Sequence, residues 1–190
     1  GTGVTVWTTK VNADLEFNVP AGNMQTWDGL GVNVGAEGEF IADDAFALTL
    51  QNGTRINGNV RWTNLTSLTQ NAGTVINVSG KGCVGGPNHV RPANGSNACV
   101  DESTFITYGS GSGGGSHGGR GGYGSNTLVG STYGSATAPV LFGSSGAGTN
   151  AGLYGSNGGG LARINSSGTI TLNGVIFANG ANGVASTPNG

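Results

Sequence analysis

The sequence has 190 residues, of which 40 are glycine, and only 8% of them are charged. An average globular chain contains about 7% glycine and about 25% charged residues. The formal net charge of −2 argues against a basic nucleic-acid-binding surface. The apolar runs are far shorter than the roughly 20 residues of a membrane-spanning helix. With two histidines, seven basic and nine acidic residues, the chain has few groups suited to catalysis, so we expect it not to be an enzyme.

Helices are disfavoured by this composition. Glycine costs about 1 kcal/mol per helical position relative to alanine, and asparagine, serine and threonine favour turns. Even in the glycine-free segment Phe40–Gln51, the residues Phe46, Leu48 and Leu50 alternate with a period of two. That alternation is typical of a strand.

Short segments of alternating apolar residues around Asn or Thr, closed by glycine-containing turns, recur along the chain. They are Leu15–Val19, Leu30–Val34, Phe46–Leu50, Val75–Val78 and Thr169–Leu172. Their near-constant spacing predicts one all-β domain over 1–190, a compact β-solenoid similar to a right-handed parallel β-helix, in which Asn and small apolar residues stack in register. Asn-Gly pairs such as Asn52-Gly53 also suit hairpins, so an antiparallel β-sandwich or jelly roll is the alternative.

The N-terminal segment 1–10 is rich in β-branched residues. Val4 and Val6 alternate on one face and Trp7 lies on the other. The sequence favours a first strand of the chain's own sheet. The alternative is an exchanged strand that joins a neighbouring copy and buries Val4, Val6 and Trp7 there.

The second half of the chain contains glycine-rich loops over 109–160. Residues 109–124 include ten glycines in sixteen positions. A flexible linker is expected to be hydrophilic, yet all four tyrosines lie in or next to these loops and each is followed by Gly-Ser. This repeat predicts ordered loops with their own packing surface.

The order of these segments resembles a known family. The chain runs from short Asn/Thr/Val strands through Val75–Gly82 into the glycine-rich loops, then to Gly158–Ile164 and Gly168–Gly180. This pattern, over roughly residues 30–182, is similar to the glycine-rich parallel β-helix (pectin-lyase-like) surface proteins of bacteria. The resemblance implies a secreted or cell-surface protein with a structural or adhesive role, and it supplies no catalytic motif.

The two cysteines, Cys83 and Cys99, enclose 15 residues of a polar loop, 83–99. This spacing predicts a disulfide, which in the loop-entropy estimate contributes about 3 kcal/mol. A disulfide implies an oxidising compartment, hence an extracellular or cell-surface location. A metal site with His89 as a third ligand is the alternative, although the chain has no Cys-x-x-Cys spacing.

Most of the acidic residues cluster near the N-terminus. Seven of the nine lie within residues 14–44, and Glu37, Glu39, Asp43 and Asp44 could together supply oxygen ligands to Ca²⁺. The sequence contains no EF-hand loop, so a solvated loop without a cofactor is the favoured interpretation.

Five Asn-x-Ser/Thr sequons occur, about as many as the composition produces by chance. Asn64 and Asn94 are the most accessible candidates for glycosylation, Asn52 and Asn165 are further candidates, and Asn77, in mid-strand, is the poorest.

Together these features predict a non-enzymatic extracellular structural protein, a self-associating protomer of a surface filament or adhesive coat. The alternative is a carbohydrate-binding module whose exposed aromatic rings stack on sugars. Its candidate platforms, besides Trp7, are Trp27, Trp62, Tyr108, Tyr123, Tyr133 and Tyr154. A polysaccharide-active β-helix enzyme is third.

Overall fold

The computed structural model describes residues 5–7, 13–19, 21–85, 134–135, 137–138, 140–146 and 155–182. These residues form thirteen strands and no helix. No helix in this part of the chain is therefore long and apolar enough to cross a membrane.

Each successive set of three strands, here called a coil, contributes one strand to each of three sheets. Sheet A contains β1 (Thr5–Trp7), β4 (Gly31–Asn33), β7 (Arg55–Asn57), β10 (Val75–Asn77) and β13 (Val175–Phe177). Sheet B contains β2 (Leu15–Glu16), β5 (Glu39–Ala42), β8 (Asn59–Leu65) and β11 (Ala162–Ser166). Sheet C contains β3 (Met24–Asp28), β6 (Ala47–Gln51), β9 (Ser67–Gln70) and β12 (Ile170–Leu172).

All the described strand pairings are parallel. Neighbours within each sheet are one coil apart, as in β4 with β7 and β7 with β10. Hairpins would instead make sequential neighbours antiparallel. The described strands thus do not form the antiparallel sandwich, and their arrangement is compatible with a β-solenoid.

The core is built from residues that share a register on consecutive coils. Val32, Ile56 and Ile76 lie side by side in sheet A, and Leu48 lies beside Leu68 in sheet C. All five are buried. Alternate residues of a strand point to opposite faces, so the period of two in the sequence places one apolar set inside. Strands lie at all five segments predicted from that period, although β2 covers only Leu15–Glu16 of the predicted Leu15–Val19.

Asparagines stack in register at the end of three sheet-A strands. Asn33 pairs with Asn57, which pairs with Asn77. Such ladders let side-chain amides repeat along the stacking direction. The prediction that Asn residues align from coil to coil is confirmed at these positions.

The glycine-rich region is an insertion between β10 and β11, in the fourth coil. At its base, the Gly82 N–H donates to the Gly158 carbonyl, and the Gly158 N–H donates to the Cys83 carbonyl, both at 3.0 Å. A Cβ on Gly158 would lie 1.9 Å from the carbonyl oxygen of Gly143. Backbone contact this close requires glycine, which explains part of the unusual composition. The 109–124 run lies outside the described residues.

The N-terminal strand belongs to the chain's own sheet. In β1, Thr5, Val6 and Trp7 pair in parallel with residues 31–33 of β4. The preferred interpretation of this segment is therefore confirmed. Val4 lies outside the described residues, and burial of Val4, Val6 and Trp7 in a neighbouring copy stays a prediction.

Candidate functional site

An ion-pair cluster lies on the outer face of sheet B. Arg61 Nε is 3.1 Å from Glu39 Oε2, and Arg61 Nη1 is 2.8 Å from Asp43 Oδ2. The Thr63 hydroxyl donates to the other Asp43 oxygen at 2.8 Å. Burial raises the pKa of Glu39, and the hydrogen bond and charge of Arg61 partly oppose this rise. Burial alone would lower the pKa of Arg61, but Asp43 and Glu39 together raise it.

The other two carboxylates proposed for Ca²⁺ hold the backbone elsewhere. Glu37 is buried, and its Oε1 accepts the Val84 N–H at 2.7 Å. Asp44 Oδ2 accepts the Val19 N–H at 2.6 Å. Among the residues that the structure describes, no three His, Cys, Asp or Glu side chains are grouped to hold a metal. Glu37 and Asp44 thus bond backbone N–H groups while Glu39 and Asp43 share Arg61, so the described contacts do not gather the four side chains around one cation position.

Trp27 and Trp62 are core residues. Their ring centroids are 5.7 Å apart in an edge-to-face contact, and both rings also contact Phe40. The prediction that these two residues are exposed sugar platforms is wrong, because both occupy inward-facing strand positions and are buried. The four tyrosines, Tyr108, Tyr123, Tyr133 and Tyr154, lie outside the described residues.

An open polar groove of about 450 Å³ follows the corner between sheets B and C. Three consecutive coils line it, through residues 43–45, 63–65 and 165–167. Two sequon asparagines, Asn64 and Asn165, are exposed here, and Asn64 Nδ2 donates to the Asp43 carbonyl at 2.6 Å.

The structure describes some of the remaining sequon and cysteine residues and leaves out others. Asn52 is exposed in the turn after β6, whereas Asn77 is half-buried and accepts the Ser79 N–H. Cys83 is buried with Phe142 and Leu161. Asn94, Cys99 and His89 lie outside the described residues, so glycosylation and the disulfide stay predictions.

The last two strands, β12 and β13, present an apolar end of the stack to solvent. Five side chains there have exposed fractions between 37% and 51%, namely Ile170, Leu172, Val175, Ile176 and Phe177. The strands β11, β12 and β13 are the outermost members of their sheets. Within the described chain, these strand edges therefore have no neighbour on one side.

Asn59 and Lys81 organise the junction between the insertion and the coils. Asn59 Nδ2 donates to the carbonyls of Gly38 (2.9 Å) and Lys81 (2.8 Å), and its Oδ1 accepts the Leu161 N–H at 2.9 Å. Lys81 Nζ donates to the Val34 carbonyl at 2.6 Å. Sequence reasoning missed both residues; the one available signal was that Lys81 is one of only two lysines in the chain.

The chain matches no protein-family model, no curated protein and no solved structure.

Proposed function

We propose that the protein is a non-enzymatic extracellular structural protein, a parallel β-helix whose copies assemble end to end through the surface formed by β11, β12 and β13. The resemblance to bacterial glycine-rich surface proteins supports an extracellular structural role, as does the predicted disulfide. The ionisable side chains support it too. Glu39, Asp43 and Arg61 form ion pairs, and Glu37 and Asp44 bond backbone N–H groups, so these groups stabilise the fold. The observation that carries the proposal is the exposed apolar end of the stack.

Three of the exposed residues occupy inward-facing positions. Ile170 lies in register with Leu68, Leu172 with Gln70, and Ile176 with Ile76. Leu68, Gln70 and Ile76 are fully buried because the strands of the next coil cover them. Ile170, Leu172 and Ile176 have no such cover and are 37–51% exposed. Covering apolar surface stabilises an assembly by about 25 cal/mol per Å² removed from water. A further layer of strands would also pair the open edges of β11, β12 and β13.

A second copy of the chain fits this end by register. Sheet A contains five strands and the other two contain four each. If β2 and β3 of the second copy continue sheets B and C, its β1 falls where β13 already lies. Then β13 pairs with the second copy's β4 and displaces β1, since Val6 and Ile176 occupy the same row of sheet A. The N-terminal segment is thereby exchanged out of its own sheet.

Charge supports the same arrangement. Along sheet B one row runs Glu16, Ile41, Arg61 and Arg163 from the first strand to the last. Arg61 is paired with Glu39 and Asp43, while Glu16 and Arg163 have no ion-pair partner in the described part of the chain. Continuing the row into a second copy places Glu16 of that copy beside Arg163.

The test is a charge exchange at the two ends. We expect Arg163→Glu or Glu16→Arg alone to weaken association by about tenfold, because an attractive pair worth up to about 1 kcal/mol becomes a repulsive one. Mixing the two single variants restores opposite charges at every junction and should restore association. Concentration-dependent sedimentation velocity measures both effects, and electron microscopy shows whether filaments form.

Two controls make the result specific. Arg55→Glu makes the same charge change on β7, away from both ends, and should leave association unchanged. Deleting residues 1–10 vacates the place that β13 needs and should promote association. Equal association of every variant would overturn the end-to-end arrangement, and monomeric deletion protein would show that the N-terminal segment itself joins the copies.

A further inference from the structure

Lys81 reaches across a coil to the end of another strand. It follows β10 of the fourth coil, yet its Nζ donates to the Val34 carbonyl at 2.6 Å and lies 3.5 Å from Asn33 Oδ1. Asn33 ends β4 of the second coil, and β7 lies between β4 and β10 in sheet A. A single side chain thus places an amine next to a side-chain amide 48 residues away.

The surroundings of Lys81 favour a reactive amine. The residue is half-buried, and within the described residues no carboxylate lies within ion-pair distance of its Nζ. Burial lowers the pKa of Lys81. A lysine removed from water in this way spends more time as the neutral amine, which is the nucleophilic form.

A buried carboxyl group belongs to the same corner. Glu37 is 2% exposed, and its N–H donates to the Lys81 carbonyl at 2.9 Å. Its φ of +61° is unusual for a residue other than glycine. Side chains on strained backbone of this kind cluster at functional sites. The Glu37 Oε1 accepts the Val84 N–H at 2.7 Å, so Glu37 fixes the backbone on both sides of Gly82 and helps to hold Lys81 in place.

We propose that Lys81 and Asn33 become joined by an intramolecular isopeptide bond. The lone pair of Lys81 Nζ attacks Asn33 Cγ and forms the new C–N bond. The bond between Cγ and Nδ2 then breaks, and Nδ2 takes one proton from Nζ and leaves as ammonia. The step consumes one amine and one primary amide and produces one secondary amide and one ammonia, so it needs no oxidant and no cofactor.

The bond would fasten the second coil to the residue at which the glycine-rich insertion begins. A pulling force applied to the insertion would then reach the second coil through a covalent link. This inference is independent of the end-to-end assembly, since it concerns a bond within one copy.

Mass spectrometry of the reduced full-length chain tests the proposal. We expect a mass lower than that of the sequence by one ammonia. Trypsin cannot cleave at an acylated Lys81, and Arg91 is followed by Pro92, so the digest should contain residues 11–55 joined to residues 62–120. Full mass, together with free cleavage after Lys81, would overturn the proposal.

Variants separate this bond from other losses of ammonia. Lys81→Arg retains the positive charge but cannot form the bond, and Asn33→Ala removes the amide, so both should show full mass. Lys10→Arg changes the only other lysine and should keep the deficit. A succinimide at an Asn-Gly pair would also lose ammonia, but it would persist in Lys81→Arg, and that result would contradict the proposal.

Discussion

Replacing Trp62 with alanine is expected to lower the free energy of unfolding by about 3–5 kcal/mol. The indole ring is fully buried, makes edge-to-face contacts with Trp27 and Phe40, and lies in register between Ala42 and Ile164. Truncation removes the contacts with both neighbouring coils and leaves a cavity. Since natural domains are stable by roughly 5–15 kcal/mol, this is a large fraction of the total. Urea unfolding followed by far-ultraviolet circular dichroism measures it.

Two further variants serve as controls for Trp62→Ala. Trp62→Phe retains most of the ring area and removes an indole N–H that has no hydrogen-bond partner among the described residues, so its loss should be much smaller. Met24→Ala truncates a side chain that is 82% exposed and should change stability by no more than about 0.5 kcal/mol. If Trp62→Ala were as mild as Met24→Ala, the ring would not be part of the core.

The strand positions could be predicted from the sequence because the fold repeats a local pattern. Phe46, Leu48 and Leu50 alternate, and Asn33 and Asn77 each precede the final valine of matching segments, so both the strands and their stacking follow from periodicity. The inward position of Trp27 and Trp62 depends on which face of each strand meets the core. A single tryptophan in a strand does not reveal that face, since an amphipathic ring suits either side.

The ion pairs show what knowledge of the register adds. Glu39 and Asp43 bond Arg61 across 22 and 18 residues, close to the length of one coil. From the sequence alone a solvated loop is favoured for these carboxylates, with Ca²⁺ as the alternative, because Arg61 is identified as their partner only once the length of a coil is known. Asn59 and Leu161 are 102 residues apart and on opposite sides of the insertion, so no local pattern could join them.

The Asn59 side chain is the other position at which one substitution should have a large effect. Alanine there removes the side-chain partner of the Gly38 carbonyl and of the Leu161 N–H, and one of the two partners of the Lys81 carbonyl, which still accepts the Glu37 N–H. A buried polar group left unpaired costs about 1–3 kcal/mol, so we expect Asn59→Ala to lower the free energy of unfolding by about 3–5 kcal/mol. Urea unfolding gives the total loss, and hydrogen exchange at the Leu161 amide reports the junction alone.

The same substitution should loosen the insertion junction before the coils themselves open. The Leu161 N–H donates to the Asn59 side chain. The backbones of β7 and β10, which contain Ile56 and Ile76, are instead hydrogen-bonded to neighbouring strands. Exchange at Leu161 should therefore accelerate more than exchange in β7 or β10. Asn165→Ala is the matched control, since Asn165 is an exposed asparagine on β11 and its loss should change stability by no more than about 0.5 kcal/mol. If the two substitutions had equal effects, the Asn59 amide would not be what holds Leu161, on the C-terminal side of the insertion, against β8 of the third coil.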